Sequence, residues 1–354
     1  MRALRWRTAE AISAERDRSN SARLPRVVVV GTGGTIASLG RDEFDVHEYV
    51  DHSTILRIDD VLKRAPALRS LAEIVAIDFR NLPSSAISVA DWLELASRID
   101  ALVREHAPVD GVVITHGTSS MEETAYFLHL TLKSDCAFVI TGSHRPLSAL
   151  GSDAIPSLMS AVRVAASPDA RGHGVLVVLS DEIHSAREVT KSSSNHAVAF
   201  RTPELGTLGA LDAAGAVAFY RRTTRKHTVD TPFNVNGRTD LPRVDIAYSY
   251  IGSDGSAIPA FVAAGARGIV SAGFPPDLPT RAERAQLEKA RETGVVIVQC
   301  SRAGSGKIAR RSSLRERGIV TADNLTPQKA RILTMLALCE TSDPATIQEL
   351  FDRF

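Results

Sequence analysis

Threonine hydroxyls at two glycine-rich turns are the residues of this chain best placed to do chemistry. One turn, Gly31-Thr32-Gly33-Gly34-Thr35, follows the apolar run Val27-Val28-Val29-Val30. The other, Thr115-His116-Gly117-Thr118, follows Val112-Val113-Ile114. Each break in apolar patterning marks a strand end, and after the second break the pattern restarts as a helix near Met121. Thr35 and Thr118 are therefore both offered from strand ends. Open α/β sheets bind ligands in a crevice outside the carboxyl ends of their strands, where such turns meet. A hydroxyl there becomes a nucleophile only when a neighbouring group activates it.

Two other glycine-rich readings fail on spacing. The first turn departs from G-x-G-x-x-G, and no acidic residue closes a second strand at the interval a dinucleotide site needs. Gly304-Ser305-Gly306-Lys307 lacks the upstream glycine and the following Ser or Thr of a phosphate-binding loop, and reads as a flexible basic loop.

The elements that must position the hydroxyls alternate along the chain. Extended runs at 27–30, 74–77, 111–115, 137–141 and 175–179 are interleaved with helical patterns at 55–64, 90–103, 121–133 and 153–166, which predicts a mostly parallel sheet with right-handed crossovers. Ser120 is the expected cap of the helix that opens with Met121-Glu122-Glu123. Residues 221–240 are charged and without apolar period, and read as a linker. A second alternation follows, with strands at 244–248, 268–271 and 294–298 and helices at 259–265, 280–292 and 327–339. The expected architecture is α/β: an N-terminal extension over 1–24, a larger mostly parallel-sheet domain over 25–220, the linker over 221–240, and a smaller α/β domain over 241–354.

A chain of 354 residues suits two unequal domains. Its 44% hydrophobic content and net charge of +1 leave no electrostatic case for nucleic acid or a membrane surface, so small-molecule chemistry is the better expectation. Cys136, Cys300 and Cys339 have neither paired nor metal-ligand spacing, and read as buried thiols in a reducing compartment. Residues 1–24 are polar and Arg-rich without an apolar core segment, so neither a signal peptide nor a membrane span is expected, and the reading is cytoplasmic.

The words Thr32-Gly33-Gly34-Thr35-Ile36-Ala37 and Thr115-His116-Gly117-Thr118, the latter followed by Met121-Glu122-Glu123-Thr124-Ala125, closely resemble the bacterial-type L-asparaginase/glutaminase family. The resemblance runs from about Pro25 to Phe354 and implies an asparaginase-like fold. It implies that Thr35 attacks a side-chain amide carbonyl, releasing ammonia and leaving an acyl-enzyme for water to hydrolyse. Tyr49 would be the loop tyrosine that assists it. Thr118 would be a second hydroxyl paired with Lys191 of the Val189-Thr190-Lys191 word, and a lysine can take a hydroxyl proton only where burial lowers its pKa. Ser84, with Trp92 eight positions on, would hold the substrate carboxylate, and Gly34, Ser85 and Ser119 would line the same site. The resemblance further implies a small-molecule amide substrate, a homotetramer built from intimate dimers, and no metal or organic cofactor. Thr141-Gly142-Ser143-His144-Arg145-Pro146, with Asp153, matches a third family segment, to which no catalytic role is given.

Two departures bear on the substrate. Ser119 stands where the family has an aspartate that pairs with the substrate ammonium and the lysine, and Ser85 stands where a glutamine is common. A hydroxyl cannot replace that charge. The region after Ser301-Arg302, where the family often supplies an acid to a neighbouring site, carries Lys307, Arg310, Arg311, Arg315 and Arg317 around the single acid Glu316. Three readings follow: hydrolysis of L-asparagine to L-aspartate, hydrolysis of a related amide without a free α-amino group, or a catalytically weak ligand-binding protein.

Overall fold

The computed structural model describes residues 23–354. All but the last two positions of the 1–24 extension therefore lie outside the described residues. The larger sheet contains β1 (Arg26–Gly31), β2 (Glu73–Asp78), β3 (Gly111–Thr115), β4 (Ala137–Thr141), β5 (Val175–Leu179), β6 (Glu182–Ser185), β7 (Gly209–Leu211) and β8 (Val217–Phe219), in the order β8-β7-β6-β5-β4-β3-β1-β2. Strands β2, β1, β3, β4 and β5 run parallel, whereas β5, β6, β7 and β8 pair antiparallel. The sheet is mostly parallel as expected, and its antiparallel margin was not foreseen because strands of three or four residues carry too little alternation to be seen.

Strand order sets the position of the site. The chain passes from β1 to β2 on one side and then returns to β3 on the other, so the order reverses at the β1/β3 boundary, where a crevice opens beyond the carboxyl ends. Both threonine turns leave the sheet there. Thr32 ties them together, its backbone N–H and its Oγ1 both donating to the Thr115 carbonyl, at 3.1 and 2.8 Å. Gly33 and Gly34 hold φ of 97° and 83°, a region that glycine enters without steric cost. A Cβ on Gly34 would also run into the Gly117 backbone, so glycine lets the two turns touch.

The valines of β1 divide between the two faces. Val28 and Val30 pack with Val112, Ile114, Phe138 and Ile140 beneath the helices α1 (Val89–Glu105) and α2 (Met121–Thr131). Val27 and Val29 pack with Val113 and Val139 against α3 (Ala154–Ala166). Burial on both faces is why these strands read as continuous apolar runs. The expected helix at 55–64 is realised only over Ile58–Lys63, and Thr54–Ile55 is extended.

The smaller sheet has β9 (Val244–Tyr248), β10 (Gly268–Gly273), β11 (Val296–Ser301) and β12 (Val320–Thr321), all parallel and in chain order. Its longer helices are α4 (Ala257–Ala263), α5 (Arg281–Glu292), α6 (Pro327–Ala337) and α7 (Pro344–Arg353). Leu333, Leu336 and Val270 belong to the same apolar cluster as α1 and α2, so one core runs between the sheets. The 221–240 segment is anchored along its length: Thr228, Thr231, Phe233 and Val235 are buried, and the Phe233 ring meets Phe354 edge-on at 5.5 Å. The basic stretch after Arg302 is largely neutralised, since Lys307 pairs with Asp323, Arg310 with Asp352, Arg311 with Asp277 and Arg317 with Glu288. These acids are distant in sequence, which is why composition alone left the stretch basic. Cys136 and Cys300 are buried, but Cys339 is partly exposed, contrary to expectation.

Lys329, on α6, is 1% exposed and donates its ammonium to the carbonyls of Ala186, Arg187 and Val189. Burial pushes its pKa down to about 8, with the Glu122 carboxylate opposing. It clamps the segment that leads into Lys191. Lys329→Met would leave three buried carbonyls without a donor, and is expected to lower unfolding stability by about 3 kcal/mol or more in urea titration. A loss below about 0.5 kcal/mol would show the clamp to be dispensable.

Buried histidines predict acid sensitivity. His116 and His184 are 0% and 1% exposed, and burial pushes each pKa down to about 4. Between the unfolded value of about 6.5 and the folded value, the unfolded chain binds protons that the native state refuses, so stability falls as pH falls through that window. The urea midpoint is expected to drop between pH 7 and pH 5. An unchanged midpoint would contradict this account of the two rings.

Candidate active site

The crevice at the β1/β3 boundary is a cleft of about 920 Å³ lined by Thr35, Tyr49, Thr118 and Lys191, together with Gly34, Ser84, Ser85 and Ser119. Every residue expected from the sequence at this site lines it. The elements that deliver each one can be followed separately.

Thr35 opens a single 3-10 turn, Thr35–Ala37, directly after the two left-handed glycines. Its Oγ1 lies 3.0 Å from the Tyr49 hydroxyl. Tyr49 begins a four-residue helix, Tyr49–His52, at the end of a loop that is fastened at several points. Asp45 accepts from the Tyr49 and Arg41 backbone N–H groups at 2.9 and 3.1 Å. Gly40 donates to Ser148 Oγ at 2.8 Å, and Leu150 donates to the Glu43 carbonyl at 2.7 Å, which ties the loop to the segment after β4.

Thr118 is held by the second turn. Lys191 donates from Nζ to Thr118 Oγ1 at 2.8 Å. Lys191 ends the two-residue strand Thr190–Lys191, which pairs with Phe200–Arg201. The lysine is half-buried, and its pKa is lowered chiefly by that burial, with the Glu122 carboxylate acting the other way. The desolvation that lysine-assisted proton transfer requires is therefore present.

Ser84 is buried at the start of the turn Ser84–Ala86, and Ser85 and Ser119 are exposed to the cleft. Ser120 does not cap α2. Its hydroxyl donates instead to the Ser84 carbonyl at 2.8 Å, and its N–H reaches Ser84 Oγ at 3.4 Å. Those bonds join the 84–86 turn to the Thr118 turn. They replace the capping geometry because Ser120 has φ of −120° and ψ of 15°, outside the extended range of a helix cap. His116 is a buried spacer, its Nδ1 lying 2.8 Å from the Gly117 carbonyl oxygen.

Sequence reasoning missed the part played by Glu122 and gave the His144-Arg145 segment no role at the site. Glu122 places Oε1 3.4 Å from the Lys191 backbone N–H, where the carboxylate acts electrostatically on the lysine, and its other oxygen has no hydrogen-bond partner. As one of two acids opening α2 it reads as a helix-dipole residue. Arg145 and His144 also line the cleft, with Asp153 accepting from both of their backbone N–H groups. Among the described residues no cluster of three or more His, Cys, Asp or Glu side chains could hold a metal ion, and no helix is long and apolar enough to cross a membrane.

A family model described as Asparaginase, N-terminal matches residues 26–225, and one described as Glutaminase/Asparaginase C-terminal domain matches residues 243–351. The chain belongs to the asparaginase family. L-asparaginase 2 of Bacillus subtilis is 38% identical over 336 residues, spanning 95% of this chain and 88% of that protein. A probable periplasmic L-asparaginase of Haemophilus influenzae is 38% identical over 338 residues, spanning 95% of each. The crystal structure of a probable cytoplasmic L-asparaginase from Campylobacter jejuni matches with a TM-score of 0.89 at 40% identity, covering 93% of this chain and all of that one. The large mostly parallel domain and the smaller parallel-sheet domain are thus the asparaginase-family fold.

Proposed function

We propose that this member of the asparaginase family hydrolyses the side-chain carboxamide of a small substrate, L-asparagine by default, to a carboxylate and ammonia. The supporting observation is that two hydroxyl pairs, Thr35 with Tyr49 and Thr118 with Lys191, line one cleft at a strand-order reversal.

In this reading Thr35 Oγ1 attacks the amide carbon as its proton passes to the Tyr49 hydroxyl, which in turn gives its own proton toward the leaving nitrogen. The amide nitrogen leaves as ammonia after gaining a proton, and Thr35 is left as an acyl ester. Lys191, whose neutral form is favoured by desolvation, in that form draws the proton from Thr118 so that this second hydroxyl can pass protons to and from the reacting groups. Water then cleaves the ester and restores Thr35. Ser84 holds the substrate carboxylate, and Gly34, Ser85 and Ser119 shape the floor. No step calls for a metal or an organic cofactor.

We also propose division of the chain into a catalytic domain over 25–220, a linker over 221–240 and a smaller domain over 241–354. The assembly would be a homotetramer. Tyr250 and Ile251, 58% and 92% exposed on the turn after β9, support burial of that turn against another copy. Free thiols at all three cysteines support a cytoplasmic setting.

The test is ammonia release by the purified protein on L-asparagine, L-glutamine and related carboxamides, with carboxylate product measured in parallel. One-to-one ammonia and carboxylate from any of them is the expected outcome. Binding of such amides with no turnover of any would favour the ligand-binding reading.

A further inference from the structure

The charges lining the cleft are poorly matched to an α-ammonium. Around Ser84 the floor offers the hydroxyls of Ser85 and Ser119, with the Arg145 guanidinium and the Lys191 amine as further donors. Two carboxylates line the cleft among the described residues, and neither is suited to hold a desolvated ammonium. Asp153 is spent on its own turn, where its oxygens accept from His144 N–H at 3.1 and 2.9 Å and from Arg145 N–H at 2.9 Å. Asp51 is exposed to solvent on the short helix Tyr49–His52, where water screens an ion pair to little value. The Glu122 carboxylate stands behind Lys191 and does not line the cleft. An ammonium moved from water to such a floor loses its hydration without gaining a charged partner, whereas a carboxylate or a neutral amide finds donors there.

The size of the cleft points the same way. Its volume of about 920 Å³ lies near the top of the range for drug-sized ligands, and Val46, Val50 and Ile55 give one wall an apolar surface. Phe44 and Leu150 are 74% and 66% exposed, on the two segments joined by the Leu150 to Glu43 backbone hydrogen bond. A group larger than an amino acid has room in the cleft and apolar contact with Val46, Val50 and Ile55.

We infer that the substrate is a carboxamide bearing a carboxylate but no free α-ammonium, its α-nitrogen acylated or absent. The inference rests on the amidohydrolase reading and replaces its default substrate, L-asparagine, with an amine-free relative. The reaction remains balanced hydrolysis: the C–N bond of the primary amide breaks, water supplies the new C–O bond, and the nitrogen departs as ammonia.

The test compares kcat/KM for ammonia release by the intact, assembled protein on N-acetyl-L-asparagine, succinamate and L-asparagine. Using the assembly includes any carboxylate that a neighbouring copy brings to the cleft. Both amine-free compounds are expected to exceed L-asparagine by about tenfold or more, and Ser119→Asp is expected to shift the ratio toward L-asparagine by about tenfold. N-acetyl-L-asparagine ahead of succinamate assigns the mouth to an acyl group, and the reverse order assigns the preference to the missing nitrogen; either order supports the inference. L-asparagine turned over as fast as both overturns it while leaving the amidohydrolase reading intact. No ammonia from any of the three overturns that reading and the inference with it. The wild-type ratio decides even if Ser119→Asp fails to fold.

Discussion

Thr35→Ala is expected to cut ammonia release by about ten-thousandfold or more, with little effect on the fold. The magnitude follows from removing a nucleophile, because residues that act as a unit in covalent catalysis each carry most of the rate advantage. The small structural effect follows from the surroundings. The Thr35 hydroxyl makes one side-chain hydrogen bond, to Tyr49, and the backbone of its turn is set by Gly33, Gly34 and the bond from Ala37 N–H to the Gly34 carbonyl. Thr35→Ser retains a hydroxyl and is expected to keep measurable turnover. Steady-state rates with thermal melts on the same preparations separate the two effects. Activity of Thr35→Ala within tenfold of wild type would move the chemistry elsewhere.

The second large effect is at Lys191. Lys191→Met is expected to lower kcat/KM by about 100- to 10,000-fold, the usual contribution of a positioned acid–base group. Lys191→Arg should be nearly as poor, since a guanidinium does not release its proton in a protein. The pH profile adds a signature that a purely structural role would lack. Burial lowers the Lys191 pKa, against the opposing charge of Glu122, and only the neutral amine can accept the Thr118 proton. Wild-type kcat/KM should therefore rise with pH, with an inflection below the ordinary lysine value of about 10.4. Lys191→Met should lose that limb. A wild-type profile with no rise, or an unchanged limb in Lys191→Met, would remove lysine from the proton path.

The site was unusually legible because its parts are signalled by local sequence. A valine run broken by glycine and threonine fixes both a strand end and the exposed hydroxyl beyond it, and the buried two-faced strands of a parallel sheet preserve that contrast. Tyr49 was harder, since its distance from Thr35 depends on a loop held by Asp45, Ser148 and Leu150, contacts that no local pattern announces. Lys329 gave no signal either. It sits in the first turn of α6 after Pro327, where an exposed lysine would be ordinary, and only the docking of α6 onto the 186–189 carbonyls makes it a buried clamp.

Other misses have equally physical causes. Strands β6, β7 and β8 are short elements at one margin of the sheet, β6 and β7 are separated by the segment that carries Lys191, and their pairing is specified by tertiary contact rather than by alternation. Helix α7 went unread although Asp343 caps it through Thr346 N–H at 2.8 Å and Pro344 occupies its first position. The packing of the 221–240 segment went unread, because the buried alternate positions Thr231, Phe233 and Val235 make only a short run with Pro232 inside it and charged residues on both sides. Ser120 shows the limit of cap rules: the residue type permits a cap, while its backbone angles direct the hydroxyl to Ser84.

The central claim is that an acyl group passes through Thr35, and it is tested most directly by trapping that ester. The wild-type protein turning over an amide it accepts would be quenched in acid, digested with trypsin and analysed by mass spectrometry. Cleavage after Arg26 and Arg41 isolates Val27–Arg41, which contains Thr35 but not Thr118. The account predicts that this peptide gains the mass of the substrate less ammonia, that fragmentation assigns the gain to Thr35, and that Thr35→Ala shows no gain. An acyl group found on the peptide carrying Thr118, or ammonia release undiminished in Thr35→Ala with no acylated peptide, would contradict it.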